Sequence, residues 1–478
     1  MRARTRTLGR SVGLVIAGLA MSAAALLWLA VAAGSPTPDA APFRYLIFGV
    51  LPVLYDPSRP ALWAILGAIA LAVLFAAGIA LLERRATNRS RRSSNSSRNP
   101  LAPKIVMAKS GGVFAKPVTV TVLIPAHNEE LSLPATLASL FAQSHRPERV
   151  IVVADNCTDD TVAIARAHGV EVFESVDNRK KKAGALNQAL SRVLPGLLDN
   201  DVVMVMDADT ALDDGFLAEA VARFTSDRAL MAVGGLFYGE PGFGLIGLLQ
   251  RNEYVRYSRE LARRRGRVFV LTGTASMFRP LALRSVAQNR GVTLPGVHGD
   301  VYDTHALTED NELTIALKSL GALITSPAQC TVVTELMPTL PALWQQRLRW
   351  QRGALENIGA YGLTPATLRY WAQQLGIGYS VIALTSFLTL ILVTLLAVST
   401  WVWFPFWLGL GTIFVAERVV TVWEGGWRAR LLALTVLPEL CFDLFLNVVY
   451  VKGIIDITLG RQANWEHANT PTLTVRAV

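Results

Sequence analysis

The chain has 478 residues, of which 52% are hydrophobic, and its formal net charge is +10 at pH 7. This length and this apolar content exclude a single compact soluble domain and indicate two or more units. The three cysteines are too scattered for a disulfide framework or a cysteine metal cluster, so a reduced compartment fits them.

Two uncharged apolar stretches, residues 11–34 and 61–82, predict two transmembrane helices in an N-terminal membrane region that spans residues 1–85. About 22 helical residues give roughly 33 Å, which is enough to cross the hydrocarbon layer of a bilayer. A signal peptide is the alternative for the first stretch. Its apolar run is long for that purpose, and no small-residue cleavage site ends it before Pro36.

Basic clusters flank both apolar stretches, at the N-terminus and over residues 83–98. Such charge can serve nucleic acid or anionic lipid. Its position beside membrane segments favours lipid, so we expect membrane lipids as partners and no nucleic acid. The positive-inside rule then predicts a multi-pass protein of the cell membrane, with residues 35–60 outside and the chain after residue 83 in the cytoplasm.

Residues 86–116 read as a flexible, basic, Ser-rich linker, and residues 117–345 as an α/β domain. In that domain, predicted strands alternate with predicted helices, which indicates a mostly parallel sheet. The strands are "VTVTVLIPA", "RVIVVADN", "VEVFES" and "DVVMVMDAD". Ligands of such sheets collect beyond the carboxyl ends of the strands, where this chain places polar residues. These are His127, Asn128 and Glu129 after the first strand, Asp155 and Asn156 after the second, and Asp207 and Asp209 after the fourth.

Asp207 and Asp209 directly follow the apolar run "VVMVM". Ionised carboxylates are costly in apolar surroundings unless their charge is compensated. Most Asp-x-Asp pairs are solvated turns or helix caps. The position of this pair after a buried strand instead favours a Mg²⁺ or Mn²⁺ ion, which would take substrate phosphates as further ligands.

Apolar segments return after about residue 370, and three spans are predicted there. They are residues 376–398, 401–416 and 428–451. The third contains Glu439 and Asp443, and acids inside a membrane usually face a bundle interior or a polar path. An interfacial or re-entrant helix is the alternative for this segment. The expected divisions are amphipathic interface helices over 346–373, a transmembrane region over 374–460 and a tail over 461–478.

Six motifs occur in a fixed order along the chain: "VTVLIPAHNEE", "VVADNCTDDT", "KKAGALNQAL", "DADT", "LTED" and "QQRLRW". This ordered set resembles the membrane-embedded family 2 glycosyltransferases, which include cellulose, hyaluronan, chitin and poly-N-acetylglucosamine synthases. The resemblance covers residues 117–355. It implies a GT-A-like nucleotide-sugar-binding domain flanked by transmembrane α-helices.

The resemblance also implies roles for individual residues. Asp310 becomes the catalytic base that removes the proton of the acceptor hydroxyl, and Mg²⁺ or Mn²⁺ becomes the cofactor, bound by Asp209 and Asp207. The residues implied for the nucleotide-sugar are Glu129, Asp155, Lys182, Gly184, Asp207 and Arg349. Those implied for the acceptor are Gly273, Thr274, Glu309, Gln346 and Trp350. The chain departs from the family pattern at Ala154, where an acid is usual.

Local structure offers another explanation for several of these residues. The run Lys180 to Lys182 can be a solvated charge cluster. Thr308 can cap a helix whose first turn holds Glu309 and Asp310. Residues 344–358 can be an amphipathic helix on a membrane surface.

The expected activity is inverting, metal-dependent transfer of a sugar, N-acetylglucosamine, from a UDP-sugar to a growing polysaccharide that leaves through the membrane helices. Inversion by a single displacement needs only one base, whereas retention usually needs a second carboxylate that acts as a nucleophile. Two alternatives remain open. One is non-processive transfer to a polyprenyl phosphate or another lipid; the other is a non-catalytic membrane scaffold or sugar-nucleotide sensor.

Overall fold

The computed structural model describes residues 92–109, 117–263, 268–397 and 405–461, together with residues 43–47 and 51–55 and a few positions from 77 to 89. The predicted span 11–34 and most of the span 61–82 lie outside the described residues. Between them, strands β1 (Phe43–Ile47) and β2 (Leu51–Tyr55) form an antiparallel hairpin.

The central sheet has seven strands, and β3 lies near its middle. From one edge to the other, they are β11 (Leu323–Thr325), β8 (Leu230–Gly234), β10 (Ala275–Phe278), β6 (Asp201–Met206), β3 (Thr119–Ala126), β4 (Arg149–Ala154) and β5 (Glu171–Glu174). Strand β10 is antiparallel to both neighbours, and the other pairs are parallel. The prediction of a mostly parallel sheet is therefore confirmed.

A second sheet of three strands continues from the residues that follow β6. Its strands are β7 (Thr210–Leu212), β12 (Thr331–Thr334) and β9 (Leu236–Gly239), with β12 in the centre. Because β7 starts directly after Asp209, the chain turns from the central sheet into this second sheet at the Asp-x-Asp pair.

Helices cover both faces of the central sheet, so each face has its own apolar core. The helices of this part are α1 (Pro103–Lys109), α2 (Leu133–Phe141), α3 (Thr161–Ala167), α4 (Lys181–Val193), α5 (Phe216–Ser226), α6 (Gly244–Arg263), α7 (Pro280–Asn289), α8 (Glu309–Ser319) and α9 (Leu340–Tyr361). The core on one face includes residues of α4, α7 and α8, and the core on the other includes residues of α2 and α5. Burial on both faces explains why β3 is almost entirely apolar and β-branched.

Part of the segment predicted to be a solvated linker packs against the domain instead. Leu101 is fully buried, and its backbone N–H donates to the carbonyl of Leu320 at 3.0 Å. Helix α1 follows and buries Ile105 and Val106. The prediction of a flexible linker is wrong here because these apolar residues, spaced at helical intervals, outweigh the basic and serine-rich residues before them.

In the described part of the chain after the α/β domain, four α-helices follow: α10 (Leu368–Ala397), α11 (Pro405–Thr421), α12 (Gly426–Thr435) and α13 (Leu437–Thr458). Within the described residues, the stretch from Leu368 to Leu392 is long and apolar enough to cross a membrane, with a mean hydropathy of 2.0. None of its most apolar window is buried against the rest of the chain. A second candidate is the broken pair made by residues 423–435 and α13, which bend by 83° relative to each other.

Glu439, expected to face a bundle interior or a polar path, forms ion pairs with residues of other helices. Its side chain is 2% exposed, and its carboxylate accepts hydrogen bonds from Arg256 of α6 at 2.6 and 2.7 Å. Arg418 of α11 bonds to it at 3.1 Å and also to Asp443. Glu439 therefore faces other helices, one of the two environments expected for it, and cations from two of these helices compensate its charge.

We expect Glu439→Gln to destabilise the fold by about 3 kcal/mol, because it leaves Arg256 and Arg418 without their shared buried counter-ion. Asp443→Asn is the matched control, since Arg418 keeps Glu439 in that variant. Thermal unfolding of the detergent-solubilised full chain measures both effects. Equal unfolding temperatures for Glu439→Gln and Asp443→Asn would contradict the structural role of Glu439.

Candidate active site

The carboxyl ends of β3, β4 and β6 meet at one edge of the central sheet because these strands are neighbours and parallel. Just beyond them, Asn128 and Asn156 take left-handed backbone conformations, with φ of 59° and 50°. Asparagine tolerates this conformation better than most residues, so the chain turns sharply after each strand. The polar residues predicted to share this edge of the sheet do so.

Asp155 is 7% exposed and is held by three side chains. Its Oδ1 accepts hydrogen bonds from Ser175 Oγ at 2.6 Å, Asn178 Nδ2 at 2.8 Å and Asn156 Nδ2 at 3.1 Å. Because all three bonds end on Oδ1, they fix the carboxylate in place and leave Oδ2 to other partners.

Gly184 makes room for the side chain that holds Asp155. A Cβ atom at Gly184 would lie 2.1 Å from Oδ1 of Asn178. Asn178 Nδ2, which donates to Asp155, also donates to the carbonyl of Lys181 in α4 at 2.7 Å. The structural reason for glycine here is therefore close packing around Asn178.

Lys182 bridges two carboxylates that are far apart in the sequence. Its Nζ lies 2.5 Å from Oδ1 of Asp207 and 3.1 Å from Oε1 of Glu309. Burial alone would lower the pKa of Lys182, but these two carboxylates raise it well above its ordinary value. A fixed positive charge therefore joins the end of β6 to the start of α8, and the alternative of a solvated charge cluster fails for Lys182.

Gly273 brings the backbone close to this charge cluster. Its N–H donates to Oδ2 of Asp310 at 3.1 Å. A Cβ atom on Gly273 would lie 3.1 Å from Nζ of Lys182 and 3.2 Å from Oδ2 of Asp207. The next residue, Thr274, accepts the N–H of Asp207 through its carbonyl at 3.2 Å. The segment predicted to lie near the acceptor thus contacts both the Asp-x-Asp pair and the predicted base.

Asp310 has the protonation behaviour that a general base requires. Burial and the neighbouring Glu309 raise its pKa to about 6, although Lys182 and the N–H groups of Asn311 and Gly273 act in the opposite direction. A carboxylate with a pKa near 6 is ionised at pH 7 and is still basic enough to accept a proton during reaction.

Asp209 lies among other acids. Burial, followed by the charges of Asp207, Glu129 and Glu335, raises its pKa to about 7. This accumulation of negative charge is what a divalent cation would relieve, so the residues present fit the expected ion. Within the described ranges, no three His, Cys, Asp or Glu side chains are arranged to hold an ion alone. Such an arrangement suits Mg²⁺ or Mn²⁺ that completes its shell with substrate and water.

Helix α9 brings the predicted Arg349 towards the same cleft. Burial raises the pKa of Glu309, whereas the charge of Lys182 lowers it. The charge of Arg349 also lowers this pKa, by less than Lys182 does. It also lowers the pKa of Lys181, for which burial is the larger cause. Two cations, Lys181 of α4 and Arg349 of α9, are therefore close enough to act on each other electrostatically.

Gln346 and Trp350 lie on α9 and share a neighbour that the sequence reasoning missed. The guanidinium of Arg347 lies 4.2 Å from the ring centroid of Trp350, and its Nη1 donates to Oε1 of Gln346 at 3.0 Å. The signal was present in the sequence, since Arg347 is three residues before Trp350 and therefore on the same side of the helix.

Thr308 stands at the start of α8, but its side chain does not cap the helix. Nδ2 of Asn357 donates to both the hydroxyl and the carbonyl oxygen of Thr308 at 3.1 Å. The capping prediction is wrong because the hydroxyl is bound to α9. Gly353 permits this approach, since a Cβ atom there would lie 2.3 Å from Oγ1 of Thr308.

Most of the predicted site residues form one connected group. Asp207, Lys182, Glu309, Gly273 and Asp310 are linked by direct contacts, and Asp209 and Glu129 interact with them electrostatically. Burial is the main cause that raises the pKa of Glu129.

Tyr302 and Glu335 are further residues that sequence reasoning missed. Tyr302 lines a recess together with Lys182, Gly273 and Asp310. Its backbone is held by Asn187, whose side chain binds both its N–H and its carbonyl at 2.9 Å. Nothing in the local sequence pattern marks either residue.

We expect Gly184→Ala to destabilise the protein by roughly 1–3 kcal/mol, because the added methyl group displaces Asn178 from Asp155. Gly196→Ala is the matched control, since a Cβ atom there has no neighbour within 4 Å. Thermal unfolding of both variants is the measurement. A Gly184→Ala protein as stable as Gly196→Ala would show that this packing is not required.

We expect Asp310→Asn to stabilise the fold at pH 8 by about 2 kcal/mol, because an ionised Asp310 is held at a cost when its folded pKa lies above its unfolded value. This cost is fully present above about pH 6, the folded pKa, and disappears below about pH 4, the unfolded value. The advantage of Asp310→Asn should therefore shrink as the pH falls through this window. The test compares the unfolding temperatures of Asp310→Asn and the wild type at pH 8 and at pH 5. A difference between the two proteins that does not change with pH would contradict the raised pKa of Asp310.

Comparisons with known proteins agree with this geometry. Residues 121–286 match the model of the family described as glycosyl transferase family 2. The chain is 26% identical over 248 residues to the poly-beta-1,6-N-acetyl-D-glucosamine synthase of Staphylococcus aureus strain COL, an alignment that covers 50% of this chain and 55% of the relative. The corresponding Staphylococcus epidermidis protein is 24% identical over 249 residues. The chain thus spans about half the length of the curated relatives it matches.

Two solved structures are also similar. A mannosyltransferase from Pyrobaculum calidifontis, in complex with GDP-Man and Mn²⁺, has a TM-score of 0.46 and 16% identity, with 83% of this chain and 99% of that chain covered. Glucosyl-3-phosphoglycerate synthase from Mycobacterium tuberculosis, in complex with Mn²⁺, UDP and phosphoglyceric acid, has a TM-score of 0.33 and 19% identity, with 55% of this chain and 83% of that chain covered.

The family match and the mostly parallel sheet together confirm the expected GT-A-like α/β fold. Residues 121–286 of the chain thus form a domain of the glycosyl transferase family 2 type, and the similarity to poly-beta-1,6-N-acetyl-D-glucosamine synthases supports a glycosyltransferase.

Proposed function

We propose that this protein transfers N-acetylglucosamine from a UDP-sugar to a growing polysaccharide, with inversion at the anomeric carbon, and passes the product through the membrane. The observation that carries the proposal is the position of Asp310. Of the three carboxylates around Lys182, two are paired with its ammonium group, whereas Asp310 is held by backbone N–H groups.

Asp310 is the base in this proposal. It accepts the proton of the acceptor hydroxyl as that oxygen attacks the anomeric carbon, and the bond from this carbon to the diphosphate breaks. Retention would require a second free carboxylate as nucleophile. Glu309 and Asp207 do not serve that purpose because both are ion-paired with Lys182, which weakens a carboxylate as a nucleophile.

The diphosphate of the donor would lie between Lys181 of α4 and Arg349 of α9. The proximity of two cations is unfavourable without an anion, and arginine binds phosphate oxygens through a planar set of donors. Asp207 and Asp209 would hold Mg²⁺ or Mn²⁺ at this point. When bound, the ion supplies charge neutralisation for the leaving UDP.

The acceptor would stack on Trp350, because sugars present flat C–H faces that suit an indole ring. Gln346 lies on the same helix and would hydrogen-bond to the sugar. The activity named for the staphylococcal relatives supports both N-acetylglucosamine as the donor sugar and a polysaccharide as the product.

We also place the protein in the cell membrane with its catalytic domain in the cytoplasm. The apolar surface of α10 supports this placement, since none of its most apolar window is covered by the rest of the chain. Its exposed side chains include Phe387, Leu390 and Leu392, which lipid would solvate better than water.

The test uses the full chain in lipid nanodiscs with radiolabelled UDP-N-acetylglucosamine, UDP-glucose, UDP-galactose and UDP-glucuronic acid, each with and without Mn²⁺ or Mg²⁺. We expect UDP release and long polymer from UDP-N-acetylglucosamine alone, and loss of both with EDTA or Asp209→Ala. Asp310→Asn should lower kcat by roughly 10²–10⁴-fold. The wild-type rate should fall below about pH 6, where Asp310 becomes protonated.

Each alternative predicts a different product. A single sugar on a lipid would identify the non-processive enzyme, and full turnover by Asp310→Asn would refute Asp310 as the base. No turnover with any donor would favour the non-catalytic sensor.

A further inference from the structure

Arg347 contacts both residues of α9 that are assigned to the acceptor. Its guanidinium lies 4.2 Å from the centroid of the Trp350 ring and donates to Gln346 at 3.0 Å. Trp350 itself is partly exposed, while the Arg347 side chain is 2% exposed. One face of the indole is thus covered from within the protein.

The charge of Arg347 is compensated by α6. Its Nη2 lies 2.7 Å from Oε2 of Glu253, and the ring of Tyr254 lies 5.6 Å from its guanidinium carbon. Burial by itself lowers the pKa of Arg347, but Glu253 and Tyr254 raise it above its ordinary value. The guanidinium therefore stays charged and fixed between α6 and α9.

Helix α6 is itself anchored one turn further along. Arg256 follows Glu253 by three residues and forms the buried ion pair with Glu439 of α13. Asn252 donates to the same carboxylate at 2.9 Å. The carboxylate of Glu253 thus projects from a helix that is held on both sides of it.

We propose that Arg347, held by Glu253, is a positioning residue that fixes the plane of the Trp350 indole for acceptor stacking. This inference rests on the proposed function only for the identity of the molecule that stacks. A guanidinium placed over one face of an indole is attracted to the ring and blocks its rotation, which leaves the opposite face for a ligand. Preorganisation of this kind lowers the entropic cost of binding.

The chemistry requires arginine at this position. A planar guanidinium can stack on Trp350 while its separate N–H groups reach Glu253 and Gln346. Lysine would keep the charge, but its ammonium group is a point donor with no flat face. Arg347→Lys should therefore fail to replace arginine, although it retains an ion pair with Glu253.

The first test measures the ring itself and needs no substrate. The full chain is labelled with 5-fluorotryptophan, and the ¹⁹F resonance of Trp350 is identified by its loss in Trp350→Phe. We expect this resonance to shift or broaden in Arg347→Lys and Glu253→Gln. It should stay unchanged in Glu356→Gln, the matched control, which breaks the Arg352–Glu356 ion pair on the same helix.

The second test measures kinetics with a soluble N-acetylglucosamine oligomer as acceptor. We expect Arg347→Lys and Glu253→Gln to raise the KM for the acceptor roughly tenfold while the KM for the donor stays constant. In a Trp350→Ala background, both substitutions should have no further effect on acceptor KM, because they act through the indole.

An unchanged Trp350 resonance in both variants would overturn the inference. A further rise in the acceptor KM when either substitution is added to Trp350→Ala would also overturn it. If the wild-type protein has no transferase activity but the Trp350 resonance still shifts in both variants, the proposed function is refuted and the positioning of Trp350 is established. The two failures are therefore distinguishable.

Discussion

The site depends on the double ion pair of Lys182 with Asp207 and Glu309. It joins the end of β6 to the first turn of α8, which are more than 100 residues apart in the sequence. Burial and the charges of neighbouring acids raise the pKa of Asp209 to about 7 and that of Asp310 to about 6, whereas Lys182 acts in the opposite direction on both. One buried cation thus pairs directly with two acids of the cleft and moderates the pKa of two others.

Close approach of backbone segments makes this arrangement possible. Gly273 is the clearest case, since its N–H holds Asp310 while the space of its missing side chain is filled by Lys182 and Asp207. Gly184 likewise leaves space for the side chain of Asn178, which donates a hydrogen bond to Asp155. Both glycines were singled out from motif resemblance, whereas the structure supplies the steric reason for each.

The sequence predicted the strand ends well because apolar runs and parallel pairing determine where they lie, and Asp155, Asp207 and Asp209 are found there. It failed where long-range contacts decide. Thr308 faces Asn357 instead of capping α8, the arginines that pair with Glu439 come from two other helices, and Glu253, the counter-ion of Arg347, lies on α6. Local patterns contain no information about partners on other elements, so such residues need the fold to be interpreted.

The docking of Leu101 has a practical consequence for anyone who dissects this enzyme. Its N–H donates to the carbonyl of Leu320, the residue that follows the C-terminal end of α8, the helix that begins with Glu309 and Asp310. Truncation at residue 117, where the motif-bearing segment starts, would remove Leu101 and Val106 from the apolar core that they share with α8 and expose part of that helix to solvent. An excised fragment should therefore begin upstream of Asn99 if it is to keep Asp310, the proposed base, in position.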